Sequence, residues 1–361
     1  MAADDFQWVF NPANWSDKKV FAKFRSFGEC SDHQLRIEDR SLMNEEIGVT
    51  VEVIKRVRDL REVYIHRCFL GDASFETIAD PLTKHSRLST LSLRSNNLAH
   101  RAVDFLVRKF STPKFNLSLG NFGSSVSLEE LDLRGNKLSG SEVAALYTAF
   151  NFCKSLNGIP VSDIRYDSSL RALQLSRQEL HFPEMVLLCL VIEDNVSIEH
   201  IDLSYNHFDA RALNHFVATL NGNHHIHSLD LSYNPMMTGS KGDDLSDLES
   251  LRNLLQRRPH ITSLSLTGIH IPGPLLKQIE LSLQVNRSVA GSGDEKRFEA
   301  FVHSLVQRTG PPPKDNPLKD WKPSFDIDVA FCQHNPVERC SLEHNDKGFK
   351  VVPYESPDKP A

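Results

Sequence analysis

Apolar residues recur along the chain in a fixed frame, Leu-x-x-Leu-x-Leu-x-x-Asn-x-Leu, with polar residues at most of the intervening positions. The clearest copies are Leu88/Leu91/Leu93/Asn96/Leu98, Leu128/Leu131/Leu133/Asn136/Leu138, Ile198/Ile201/Leu203/Asn206/Phe208 and Ile226/Leu229/Leu231/Asn234/Met236. The inner Leu-x-Leu step has the two-residue period of a strand with one buried face. Between the frames lie stretches of helical length, 99–110, 141–152, 183–194, 210–220 and 245–256. Their apolar residues fall at helical spacing, as in Val103, Leu106, Val107 and Phe110, or Leu213, Phe216, Val217 and Leu220. The pattern therefore predicts short strands alternating with helices.

Weaker copies keep the register. Leu60/Val63/Ile65/Cys68/Leu70 has cysteine at the asparagine position, while Leu170/Leu173/Leu175/Gln178/Leu180 and Ile261/Leu264/Leu266/Ile269/Ile271 lose the asparagine. A degenerate turn at Leu35/Ile37/Arg40/Leu42 reads as a cap. Starts at Leu60, Leu88, Leu128, Leu170, Ile198, Ile226 and Ile261 give steps of 28, 40, 42, 28, 28 and 35, so 28 is the base period and three turns carry insertions. The insertions 114–127, 157–169 and 237–243 read as loops or small hairpins. Such loops either carry specificity or are tolerated padding.

The frame resembles the leucine-rich repeat, and its long turns resemble the ribonuclease-inhibitor-like subfamily of that repeat. The resemblance implies an α/β solenoid of about seven to eight turns, a horseshoe with a parallel sheet on its concave side and helices outside. It also implies a protein that holds partners and does no chemistry of its own. No single turn can bury its apolar face, so neighbours stack. The asparagine side chain satisfies backbone groups where the chain leaves each strand, groups that cost about 1–3 kcal/mol if left unpaired.

On this reading the chain divides into an aromatic cap at 1–31, a repeat domain at 32–288, a capping helix at 289–308 and a proline-rich extended tail at 309–361. The cap carries Phe6, Trp8, Phe10, Trp15, Phe21, Phe24 and Phe27, with a helix start at Ser16-Asp17. In the capping helix Phe298, Phe301, Val302, Leu305 and Val306 share one side.

Composition narrows the function classes. A net charge of −6 argues against a general nucleic-acid binder, so no direct nucleic-acid contact is expected. No apolar run reaches the roughly 20 residues of a membrane span, and the start Met-Ala-Ala-Asp-Asp lacks the layout of a secretory leader. Six cysteines include Cys68, Cys153 and Cys189 at core or helix positions, as small apolar groups, without a cysteine-dense cap. The expected address is cytoplasmic, with cytoskeletal or flagellar machinery as an alternative.

Residues that point away from the core of each strand form the candidate partner-binding surface: Tyr64, His66, Arg94, Asp132, Arg134, Gln174, Asp202, Tyr205, Asp230 and Tyr233. Arg94 and Arg134 suit an acidic partner. Asp202 and Asp230 should stand about 5 Å apart on neighbouring strands, where two carboxylates can share a proton or a cation. Copying between repeats places the same pair there without any chemistry.

The tail contains Cys332-x-His334 and Cys340-x3-His344, four potential zinc ligands at an unfamiliar spacing. His200, His207, His224, His225 and His227 look crowded but alternate with frame residues, so they are expected on different sides of the turns. With no nucleotide cradle, nucleophile elbow or HExxH, no catalytic residue, cofactor or metal is expected. The leading function is a non-enzymatic scaffold for a protein partner. The alternatives are a structural subunit of a large cytoskeletal, axonemal or ribonucleoprotein assembly and a GTPase-activating type of regulator.

Overall fold

The computed structural model describes residues 12–111, 128–236 and 246–290, and the strands Cys340–Asn345 and Gly348–Pro353. The insertions at 114–127 and 237–243, residues 291–308 of the expected capping helix and most of the tail lie outside the described residues. The chain forms two compact units, Met1–Leu170 with Arg177–Asn195, and Arg171–Ser176 with Val196–Ala361.

The first unit opens with helix α1 (Asp17–Phe24), whose Ser16 cap accepts a hydrogen bond from the Lys19 amide at 3.4 Å. Val20 and Phe24 are buried as it packs on α2 (Asn44–Arg56), and Phe27 stacks edge-on against Phe24 at 5.0 Å. Strand β1 (Glu29–Cys30) pairs antiparallel with β2 (Gln34–Glu38) and covers the open edge of the sheet. From β2 the ladder runs parallel through β3 (Glu62–His66), β4 (Thr90–Ser92), β5 (Glu130–Asp132) and β6 (Ser155–Leu156). Its helices are α3 (Asp72–Leu82), α4 (His100–Phe110), α5 (Gly140–Phe150), α6 (Val161–Tyr166) and α7 (Phe182–Ile192). Each of α2 to α5 packs on the next, except that α5 is followed in the layer by α7.

The second unit repeats the plan. Strands β7 (Ala172–Gln174), β8 (His200–Asp202), β9 (Ser228–Asp230) and β10 (Ser263–Ser265) form a parallel sheet in that order. Helices α8 (Ala210–Leu220), α9 (Ser246–Arg257) and α10 (Gly273–Ala290) pack in sequence.

In both units the strand pattern delivers the core. Leu91, Leu131, Leu173, Ile201 and Leu229 at the centres of their short strands are buried, while Leu264 at the centre of β10 is half-buried. Phe75, Phe110 and Phe150 in the first unit and Phe208 and Phe216 in the second are fully buried, each stabilising its unit by roughly 1.5–3 kcal/mol.

The asparagines act as the frame predicts. Asn96 Oδ1 accepts from the amides of Cys68 (3.0 Å) and Leu70 (3.2 Å), and its Nδ2 donates to the carbonyls of Ile65 and Leu93. Asn136 bridges the next turn in the same way. In the second unit Asn234 accepts from the Phe208 amide at 3.1 Å and donates to the carbonyls of Leu203 and Leu231, each at 3.0 Å. Cys68, which replaces an asparagine, is buried and its Sγ donates to the His66 carbonyl at 3.1 Å.

Two expectations are corrected. The single parallel sheet is two sheets, ending at β6 and beginning again at β7. The segment 157–169, expected as a loop or small hairpin, begins with a tight reversal at Asn157-Gly158 but then forms the helix α6, with Ile159, Val161 and Ile164 buried. One cause serves both corrections. The Leu156 amide donates to the Ile159 carbonyl at 3.0 Å and the Ile159 amide returns to Leu156 at 2.9 Å, so β6 spends its outer edge on its own turn. Asn157 and Gly158 make that turn in the left-handed region, at φ 47° and 76°. Within the tail, β11 (Cys340–Asn345) pairs antiparallel with β12 (Gly348–Pro353).

Candidate functional site

The outward strand positions build two different surfaces. In the first unit nearly every charged group is held by another. Arg36 donates to Glu38 at 3.1 Å and lies over the Tyr64 ring at 4.8 Å, while the Tyr64 hydroxyl donates to Glu62 at 3.2 Å. His66 Nε2 is 2.8 Å from Ser92 Oγ and its Nδ1 is 3.3 Å from Glu38. Burial pulls the His66 pKa below its ordinary value, against the pull of Glu38.

Arg94 pairs with Glu179 and stands 3.7 Å from Asp132. Arg134, only 9% exposed, grips both Asp132 oxygens at 2.7 to 3.2 Å and donates to the Gln178 carbonyl. Gly158 leaves room for that guanidinium, since a Cβ there would sit 2.6 Å from Arg134 Nη1. Arg134 is therefore an internal brace of the first unit. Beneath it lies Glu184, 4% exposed, accepting from the His181 amide at 3.0 Å and from Asn157 Nδ2 at 3.2 Å. Burial pushes its pKa up to about 7.

The second unit builds its strand face from different groups. Asp202 and Asp230 are direct register partners on β8 and β9. Each turns Oδ1 back to the amide two residues on, Ser204 and Ser232 respectively, at 2.9 Å. This local bond fixes both carboxylates, and it gives the aspartates a structural reason to recur in successive turns. Asp132 makes the same bond to the Arg134 amide at 3.1 Å. Among the described residues neither Asp202 nor Asp230 enters a salt bridge, whereas Asp132 enters two.

Next to the carboxylates runs a row of hydroxyls. Ser176 Oγ is 2.9 Å from Ser204 Oγ, and Ser232 Oγ is 2.7 Å from Ser265 Oγ. Gln174 is exposed beside Asp202, its register partner.

The rim of this surface is aromatic. Tyr205 and Tyr233 stack with centroids 4.3 Å apart and planes 15° from parallel, and they are 43% and 46% exposed. Both occupy the position before the frame asparagine, which is left-handed in turn after turn: Arg67, Ser95, Gly135, Arg177, Tyr205, Tyr233 and Gly268 all have φ between 52° and 76°. A large side chain in that conformation is uncommon, and glycine is the unstrained choice. Gly268 takes that choice and makes room for the stack, because a Cβ there would come within 2.5 Å of Tyr233 Cδ1. The hydroxyl of Tyr205 raises the Tyr233 pKa above its ordinary value.

The histidines regroup in a way the frame does not anticipate. His224 and His227 lie 5.7 and 6.1 Å from His260, a buried ring outside the crowded set. Burial first, then the neighbouring His224, His227 and Arg258, lower the His260 pKa to about 4. Among the described residues no group of three or more His, Cys, Asp or Glu side chains is arranged to hold a metal ion. Cys332 and His334 of the suggested zinc set lie outside those residues. The described cysteines Cys30, Cys68, Cys153 and Cys189 are free thiols, and burial raises Cys68 to about 11 and Cys153 to about 12. No described helix is long and apolar enough to cross a membrane.

Two family models match the sequence, Leucine Rich Repeat over residues 127–148 and Leucine Rich repeat over residues 222–240. Each falls on a frame copy, one in each unit. No curated protein matches. Sixty-five chains of solved structure match, among them Leiomodin-1 Actin-Binding Site 2 (ABS2), 10% identical with a TM-score of 0.32 and covering 44% of this chain and 79% of that one. That likeness is too distant to bear on function.

Proposed function

From a chain built of leucine-rich repeats, we propose a protein-interaction scaffold whose principal docking surface is the strand face of the second unit. Repeats of this kind generally mediate contacts between proteins, and the strand–helix alternation here is the architecture they use. The 28-residue period supports our assignment of these turns to the ribonuclease-inhibitor-like kind.

One observation carries the proposal. Tyr205 and Tyr233 stand stacked and half exposed in left-handed turns, beside two fixed carboxylates and a floor of small hydroxyls. Tyrosine supplies large contact area with few torsions to freeze, and a prefixed surface keeps the ordering cost of binding low. By contrast Tyr64, His66, Arg94, Asp132 and Arg134 are engaged within the first unit, so we assign them a supporting part.

The test is a photo-crosslinking amino acid introduced separately at Ser232 and at Ser92, with the full-length chain exposed to extract of its source cells. A discrete protein adduct from position 232, absent at position 92, is the expected result. Adducts from position 92 alone would move the docking surface to the first unit and sink the proposal.

A further inference from the structure

We propose, building on that docking reading, that the strand face of the second unit receives a basic segment of the partner, an extended arginine- or lysine-bearing stretch laid across β8 and β9. The charge of the face points there. Its strand-face positions hold Asp202 and Asp230 among Gln174, Ser176, Ser265 and Thr267, with Ser204 and Ser232 buried between them in sequence. None of these is a lysine or arginine. His200 is the titratable group on the adjoining row, beside Glu199 at 4.0 Å, and Arg171 is drawn to Glu199 at 3.5 Å and to the Ser197 carbonyl at 3.0 Å.

Geometry makes the charge usable. Register pairing sets the two carboxylates on adjacent strands, about 5 Å apart. Each bonds its own backbone through Oδ1, so its orientation is settled before a ligand arrives. Two fixed anions at that spacing suit one guanidinium, or successive cationic side chains, without reorganising. Tyr205 and Tyr233 then supply apolar surface for the long stem of arginine or lysine, whose charged head reaches the carboxylates.

Other occupants fit less well. An acidic segment would meet two like charges at the strand centres, where Asp202 and Asp230 stand as register partners. An apolar helix would strip water from the hydroxyls and carboxylates without replacing its hydrogen bonds.

Fluorescence anisotropy on the full-length chain tests this, with labelled peptides of Gly-Arg-Ser, Gly-Lys-Ser and Gly-Glu-Ser repeats at low salt and at about 0.3 M salt. The arginine and lysine peptides should bind and weaken with salt, and the glutamate peptide should not bind. The double variant Asp202→Asn/Asp230→Asn and the single variant Tyr233→Ala should each weaken binding by about fivefold or more. Arg94→Ala should bind like the parent, and melting curves confirm that each variant is folded. Tyr233→Phe, which keeps the ring, should restore most of the loss.

Equal binding of basic peptides by the double variant would overturn the proposal, since the attraction would then lie elsewhere on an acidic protein. So would binding of the glutamate peptide, or no binding at all. A protein adduct from position 232 with failed peptide binding would discard the basic class and leave the docking surface standing. Loss of that adduct would remove both.

Discussion

The two units use one repeat frame to make opposite kinds of surface. In the first, outward charges are spent on one another: Arg134 on Asp132, Arg94 on Glu179, Arg36 on Glu38. In the second, the carboxylates are spent only on their own backbone, and the remaining positions are hydroxyls and two stacked rings. The difference teaches that a polar strand face is not by itself a binding face. What counts is whether its groups already have partners in the same unit.

The largest effect should come from what the units share. Asn96→Ala and Asn234→Ala each remove a buried side chain that satisfies several backbone groups, so each should lower stability by roughly 2–4 kcal/mol in urea unfolding. A negligible loss in either unit would break the claim of a common frame.

Next comes a contrast between the units in pH. Glu184 has a folded pKa near 7 against an ordinary 4.5, so the folded state holds a proton that the unfolded state releases. Its contribution is fully present below pH 4.5 and is lost as pH rises towards 7, up to roughly 3 kcal/mol, with Arg134 and Asp132 as the charges facing it. His260 has the reverse sign. Its folded pKa is near 4 against 6.5, so the unfolded state takes up the proton first and stability is lost as pH falls from 6.5 towards 4. Unfolding curves from pH 4 to 8 on Glu184→Gln and His260→Phe should each lose one of these slopes relative to the parent. His66 and His85, also lowered by burial, add to the acid-side slope in the first unit and are unchanged in both variants.

Substitutions in the strand faces should separate the units further. Arg134→Ala should destabilise by roughly 2–4 kcal/mol, because it strands Asp132 in a partly buried site. Asp202→Asn retains an acceptor for the Ser204 amide and should cost about 1 kcal/mol or less. Thermal unfolding compares the two directly, and similar losses would erase the distinction. Gly268→Ala should cost about 1 kcal/mol or somewhat more from its left-handed backbone, with a shift of the Tyr233 ring visible in near-ultraviolet dichroism.

Much of the fold was legible because the frame encodes it twice, in alternating apolar residues and in the asparagine. Leu91, Leu131, Ile201 and Leu229 are buried at the strand centres the spacing predicts, and Asn96, Asn136 and Asn234 bond as expected. The break after β6 was not legible. Its strand has two residues and α6 has six, too few for either period to register, and the hydrogen bonds that close it are between backbone groups. The apolar run Ile159, Val161 and Ile164 was the available signal.

The site was readable as positions and unreadable as partnerships. Frame counting finds Arg134 and Asp230 alike, yet only the structure shows that Arg134 reaches Asp132 and Gln178. The left-handed turns at Tyr205 and Tyr233 were likewise hidden, because tyrosine gives no sign of that conformation. His260 escaped notice because its neighbours His224 and His227 sit about one repeat away in sequence.

The most direct test of the central claim compares two charge reversals, Asp230→Lys and Arg94→Glu, by quantifying the protein crosslinked at position 232 when each is carried on the full-length chain. Asp230→Lys should remove the adduct while Arg94→Glu leaves it near the parent level. Retention with Asp230→Lys and loss with Arg94→Glu would contradict that claim.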